Sequence, residues 1–144
     1  VIDDRVEVVM RTKVHGVHLG KNDMDPAQAR EYLGPHAIIG CTANTAADIT
    51  SLAGLDIDYI GLGPFRHTDT KANLAPVIGL EGYRRIMAEI RAAGIELPVV
   101  AIGGITSADV TPLLQAGASG VAVSGAILRA NDPVRETSTI INGN

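Results

Sequence analysis

Six short apolar runs punctuate the chain: Val1-Ile2, Val17 to Leu19, Ala37 to Ile39, Tyr59 to Leu62, Val99 to Ile102 and Val121 to Val123. Each is nearly continuous in apolar character rather than alternating, which predicts strands covered on both faces, as in a parallel sheet packed under helices. The segments between them carry helix punctuation. Asp25-Pro26 supplies an N-cap and a first-turn proline, with Gly34-Pro35 as the stop. Thr45 with Asp48, and Thr106 with Asp109, have capping-box spacing, and Gly54 and Gly117 end those helices. Tyr83, Ile86, Met87 and Ile90 share one face of a helix closed by Gly94, and Asp132-Pro133 opens a last helix that runs out in the polar tail Ile141 to Asn144.

Strand and helix in such short alternation make a βα repeat, and right-handed crossovers then force the strands parallel. A doubly wound sandwich and a (β/α)8 TIM barrel both fit the repeat. Polar or glycine-rich signals follow almost every run: Asp3-Asp4, Gly20 to Asp23, Thr42, Gly61 to Lys71, Gly103-Gly104 and Ser124-Gly125. A doubly wound sheet gathers its site at one switch point, whereas a barrel collects loops from all its strands at one mouth, so the barrel is favoured. Gly61-Leu62-Gly63-Pro64 is no dinucleotide fingerprint: the third glycine is missing and proline stands where the helix should begin.

Composition narrows the function class. The 144 residues are 46% hydrophobic and 19% charged, a globular composition of single-domain size, and no apolar run nears the roughly 20 residues of a membrane span. A net charge of −4 with scattered basic residues, and only 3% aromatics, argue against nucleic acid as a partner. Small-molecule substrates are expected, without a membrane partner; a homo-oligomer is compatible with the sequence. Cys41 is the single cysteine, which has no disulfide partner in the chain, and no leader pattern is read, so a reducing, cytoplasmic location is expected.

Three places can carry chemistry. Asp4 and Asp23 follow the first two runs, and on neighbouring strands their carboxylates would suit Mg²⁺ shared with a substrate phosphate; equally, Asp4 and Asp25 read as helix N-caps and Asp23 as a solvated side chain. Thr68-Asp69-Thr70-Lys71 lies in a long connection reaching to about Gly79, where hydroxyls and a lysine suit a phosphate or diphosphate. Gly103-Gly104 and Ser124-Gly125 place bare backbone N–H groups after the last two strands, where barrels commonly hold phosphate, although tight βα turns need glycine too. His15, His18 and His36 read as packing or surface residues, and Cys41 as a small buried one.

The ordered set Asp3-Asp4-Arg5, Gly16 to Gly20 with Asp23, Tyr59 to Pro64 through Thr68 to Lys71, Val100 to Ile105, and Gly120 to Ile127 resembles the thiamine-phosphate synthase family over nearly the whole chain. The resemblance implies a TIM barrel that joins a pyrimidinylmethyl diphosphate to a thiazole phosphate with Mg²⁺, releasing diphosphate through a pyrimidine carbocation. By motif, Asp4 and Asp23 would hold Mg²⁺ and Lys71 the diphosphate, with Asp3 beside it where an asparagine is frequent. Thr68, Thr70, Gly104, Ser124 and Gly125 would hold the thiazole phosphate, and Thr42 would lie on the pyrimidine side. His67 replaces a frequent proline. Asp4, Asp23 and Lys71 together favour the synthase over the related thiazole tautomerase, and a non-catalytic phosphate-binding module stays open as the alternative that an activity assay would separate. Six βα units cannot close an eight-stranded barrel, so residues 1–144 are expected to form part of one domain, strands 3 to 8, with roughly 50 to 60 residues preceding Val1.

Overall fold

The computed structural model describes residues 1–67 and 75–142. Six strands form one sheet: β1 (Ile2–Asp3), β2 (Gly16–Leu19), β3 (Ile38–Ala43), β4 (Tyr59–Leu62), β5 (Val99–Ala101) and β6 (Gly120–Val121). All neighbours pair in parallel and the spatial order is the chain order, β1 to β6. A doubly wound sheet reverses direction at a switch point; this one does not, which is the arrangement of a barrel wall. Among the described residues the sheet is not closed.

The helices between strands are α1 (Val6–Arg11), α2 (Pro26–Leu33), α3 (Ala46–Leu52), α4 (Gly79–Ala92) and α5 (Val110–Gln115), the last preceded by a 3₁₀ turn, Ser107–Asp109. After β6 come α6 (Gly125–Leu128) and α7 (Pro133–Asn142). The expected caps form: the Asp25 carboxylate accepts from the N–H groups of Ala27 and Gln28, and both capping boxes are present. The N-cap position of α1 is Arg5 rather than Asp4. Gly94 and Gly117 follow their helices in the left-handed region, at φ 72° and 106°, where glycine alone is unstrained.

The strand faces differ sharply. Val17, Leu19, Ile39, Ala43, Ile60, Leu62, Val99 and Ala101 are at most 1% exposed and meet the helices, whose own contribution includes Ile49, Tyr83, Ile90 and Leu113. Residues of the opposite parity, His18, Thr42, Tyr59, Val100 and Ile102, form the other face. The third strand was expected at Ala37 to Ile39; it runs instead from Ile38 through Gly40, Cys41 and Thr42 to Ala43, because a central strand pairs on both sides with β2 and β4 whatever its intrinsic preference. Its start is pinned by Arg30, whose guanidinium donates to the carbonyls of Gly34 and Ala37 and to Asp58, while Asp58 accepts from the Ile39 N–H at 2.7 Å.

Candidate active site

Parallel strands in chain order bring every βα loop to the same edge of the sheet, and the residues expected to carry chemistry follow the strands that feed that edge. Pairing register sets which side chains meet. Asp3 lies opposite His18, His18 opposite Gly40, and Gly40 opposite Tyr59, a single row across four strands. Gly40 makes that row work. A Cβ there would sit 2.1 Å from the Tyr59 ring, so the missing side chain is the space through which Tyr59 reaches His18.

The two rings stack with centroids 5.4 Å apart, and the Tyr59 hydroxyl lies 2.9 Å from His18 Nδ1. His18 Nε2 lies 2.9 Å from the Thr42 hydroxyl. One imidazole, 8% exposed, therefore ties Tyr59 to Thr42, with a Cβ on Gly61 excluded by His18 Cε1 at 2.7 Å. Burial, and then the Asp3 charge, push the Tyr59 hydroxyl above the usual phenol range. His18, expected as a packing or surface residue, is instead tied to two hydroxyls; its sequence signal is a polar residue inside the apolar run Val17 to Leu19, two positions in register from Thr42.

Asp4 and Asp23 follow adjacent strands. The Asp4 backbone N–H donates to the His18 carbonyl at 2.9 Å, and Asp4 is the non-glycine residue with positive φ, 65°, among the described residues. Strained backbone of this kind clusters at functional sites. The Asp23 carboxylate accepts from the Gly20 N–H at 2.6 Å, closing the β2–α2 loop rather than lying loose in solvent. Beside it a cleft of about 440 Å³ is lined by Lys21, Asp23, Cys41, Thr42 and Asp48 among others. Lys21 pairs with Asp48 at 2.6 Å across the cleft. Burial opposes ionisation of Asp48, but hydrogen bonds from Lys21, Asn44 and Thr45 outweigh it and hold the carboxyl below its usual range. Cys41 is buried, and burial followed by the charge of Asp25 pushes its thiol up to about 11, so it is no thiolate nucleophile.

At the other side of the sheet, Gly103 and Gly104 have φ of 87° and 69° after β5, and Ser124-Gly125 opens α6 after β6. The β5 and β6 strands pair directly, so the two glycine turns neighbour one another. Gly63-Pro64, a cis peptide, leads from β4 to Arg66 and His67. Thr68, Thr70 and Lys71 lie outside the described residues. Among the described residues no three His, Cys, Asp or Glu side chains converge as a metal cage, and no helix is long and apolar enough to cross a membrane.

Residues 1–127 match the family described as thiamine monophosphate synthase. The thiamine-phosphate synthase of Bacteroides thetaiotaomicron is 54% identical over 141 residues, covering 98% of this chain and 68% of that protein. Its counterpart from Bacteroides fragilis is 52% identical over 142 residues, 99% of this chain and 70% of the relative. Among solved structures, the thiamine phosphate pyrophosphorylase of Pyrococcus furiosus superposes with a TM-score of 0.83 at 35% identity, over 98% of this chain and 64% of that one. The chain thus spans about two thirds of the length of these relatives.

Proposed function

Since the chain belongs to the thiamine monophosphate synthase family, whose members are transferases, we propose that its loop edge transfers a pyrimidinylmethyl group from a diphosphate to the ring nitrogen of a thiazole phosphate. The observation that supports this most is the division of the loop edge into two halves. Carboxylates Asp4 and Asp23 follow β1 and β2, and the glycine turns Gly103-Gly104 and Ser124-Gly125 follow β5 and β6, with the His18, Thr42 and Tyr59 cluster between them. Two anionic groups on two substrates call for two such sites.

In the reaction the methylene carbon–oxygen bond to diphosphate breaks, both electrons leaving with the diphosphate oxygen, and the thiazole nitrogen lone pair forms the new carbon–nitrogen bond. No protein nucleophile is needed. What the protein supplies is charge neutralisation on the leaving group and a fixed approach of the two rings. Lys71 takes the diphosphate as catalytic residue, with Asp3 beside it. Thr42, its hydroxyl held by His18, meets the pyrimidine. Thr68, Thr70, Gly104, Ser124 and Gly125 receive the thiazole phosphate.

Two hard carboxylate donors on adjacent loops, with no full cage among the described residues, fit Mg²⁺, which keeps much of its shell for water and phosphate oxygens. When bound, the ion would supply positive charge against the departing diphosphate, and Asp4 and Asp23 would hold it. A cytoplasmic place of action goes with this reading, in which Cys41 stays a buried free thiol.

Formation of thiamine phosphate from both substrates with Mg²⁺ tests the proposal. Lys71→Ala is expected to lower turnover by about 100-fold or more, in line with loss of one charge-stabilising group. Equal product from the variant would remove the diphosphate role, and binding of thiazole phosphate without any turnover would instead favour a non-catalytic binding module.

A further inference from the structure

The Gly103-Gly104 turn is gripped from one side by a single arginine. Two consecutive carbonyls are captured: the Arg66 backbone N–H donates to the Gly103 oxygen at 2.9 Å, and Arg66 Nη1 donates to the Gly104 oxygen at 2.8 Å. In a trans peptide the N–H of the next residue points opposite to the carbonyl. Holding these two carbonyls toward Arg66 therefore turns the N–H groups of Gly104 and Ile105 the other way, and among the described residues neither donates to a backbone carbonyl. Successive N–H groups aimed to one side, with positive φ at both glycines, form a concavity suited to an anion.

Arg66 is itself clamped. Nη1 and Nη2 donate to the two oxygens of Asp109 at 2.7 and 2.9 Å, a bidentate pair. Asp109 Oδ2 also accepts from the N–H and hydroxyl of Thr106 at 2.9 and 2.7 Å, so one carboxylate closes the segment from Gly103 to Asp109 into a ring of contacts. These four donors consume its charge, which would otherwise oppose an anion nearby. Space is tight as well: a Cβ on Gly104 would fall 2.8 Å from the His67 carbonyl oxygen and 2.9 Å from Arg66.

We propose that Arg66 and Asp109 are positioning residues that orient the Gly104 and Ile105 N–H groups toward the phosphate of the thiazole substrate. This rests on the reading of Gly104, Ser124 and Gly125 as the thiazole phosphate site. Neither residue touches the ligand. Arg66 acts by peptide orientation, and Asp109 by fixing the guanidinium.

The test is steady-state kinetics on the full chain, varying each substrate separately, with Arg66→Lys, Asp109→Asn and the double variant. Lysine keeps the charge but cannot make the fork, and asparagine keeps an acceptor for Thr106. Each single variant is expected to raise KM for the thiazole phosphate about tenfold while leaving kcat and KM for the pyrimidine diphosphate within about twofold. The double variant should be no worse than either single, because the pair acts as a unit. An equal rise in both KM values, or a fall in melting temperature with unchanged kinetics, would overturn the proposal by reducing the pair to a structural brace. Ser124→Ala separates the layers: if it raises the thiazole phosphate KM while the Arg66 and Asp109 variants do not, the phosphate site stands and the positioning role falls. If it too changes nothing, the underlying reading of that site fails, and the positioning role with it.

Discussion

His18 Nε2 lies 2.9 Å from the Thr42 hydroxyl, and the other nitrogen of the same ring lies 2.9 Å from the Tyr59 hydroxyl. A threonine hydroxyl rotates freely unless something holds it; here a buried imidazole, itself stacked on Tyr59, does so. His18→Ala is expected to reduce kcat/KM for the pyrimidine diphosphate by about 10- to 100-fold, the order expected when a contact group is misplaced by about 1 Å. Thr42→Val should give a similar loss, and combining the two should add little, because both remove one interaction. Kinetics with each substrate varied in turn would check this; strict additivity of the two losses would contradict it.

Asp23 closes its loop on the Gly20 N–H and, in the proposed reaction, also faces the metal. Asp23→Ala should therefore weaken Mg²⁺-dependent turnover more than it weakens binding of thiazole phosphate, whose proposed site follows β5 and β6, at the opposite end of the strand order. Titrating Mg²⁺ in turnover assays and thiazole phosphate in calorimetry compares the two. The variant should need several-fold more Mg²⁺ for half-maximal rate.

The Asp109 carboxyl is held at about 2, first by hydrogen bonds from Arg66 and despite burial, with Thr106 assisting. A carboxyl depressed on folding stabilises the native state fully above its unfolded value near 3.8, and that contribution drains away as pH falls toward about 2. Asp109→Asn should cost about 1–2 kcal/mol at neutral pH, discounted because Arg66 is half exposed. The gap between the two proteins should stay constant from neutrality down to about pH 4 and then close. Melting curves from pH 7 to pH 2 read this directly.

Tyr83 is fully buried in the core, and its hydroxyl has no hydrogen-bond partner among the described residues. Burial alone pushes that hydroxyl far above the phenol range. An unpaired buried hydroxyl costs about 1–3 kcal/mol, so Tyr83→Phe should be neutral or stabilising by about 1 kcal/mol. Gly40→Ala should do the opposite and cost about 1–3 kcal/mol, since its methyl would meet the Tyr59 ring. Urea denaturation of the two variants gives both signs in one experiment.

Much of this molecule was written locally. Apolar runs mark five strands within a residue or two, Asp25-Pro26 and the Thr45 and Thr106 boxes mark helix starts, and the stripe Tyr83, Ile86, Met87 and Ile90 is the buried face of α4. These are decided by backbone hydrogen bonding and by periodic burial within one segment, so neighbours in sequence suffice. The order of motifs along the chain likewise pointed to the family. Tertiary structure alone decided the extent of β3, whose Gly40-Cys41-Thr42 stretch becomes strand because β2 and β4 flank it. It alone decided that Asp4 takes left-handed backbone just before the Arg5 cap of α1, that His18 meets Thr42 and Tyr59 across a glycine gap, and that Arg66 reaches Asp109 43 positions along the chain. Those relationships depend on strand register and on the space left by missing side chains, quantities that exist only once separate segments are packed together.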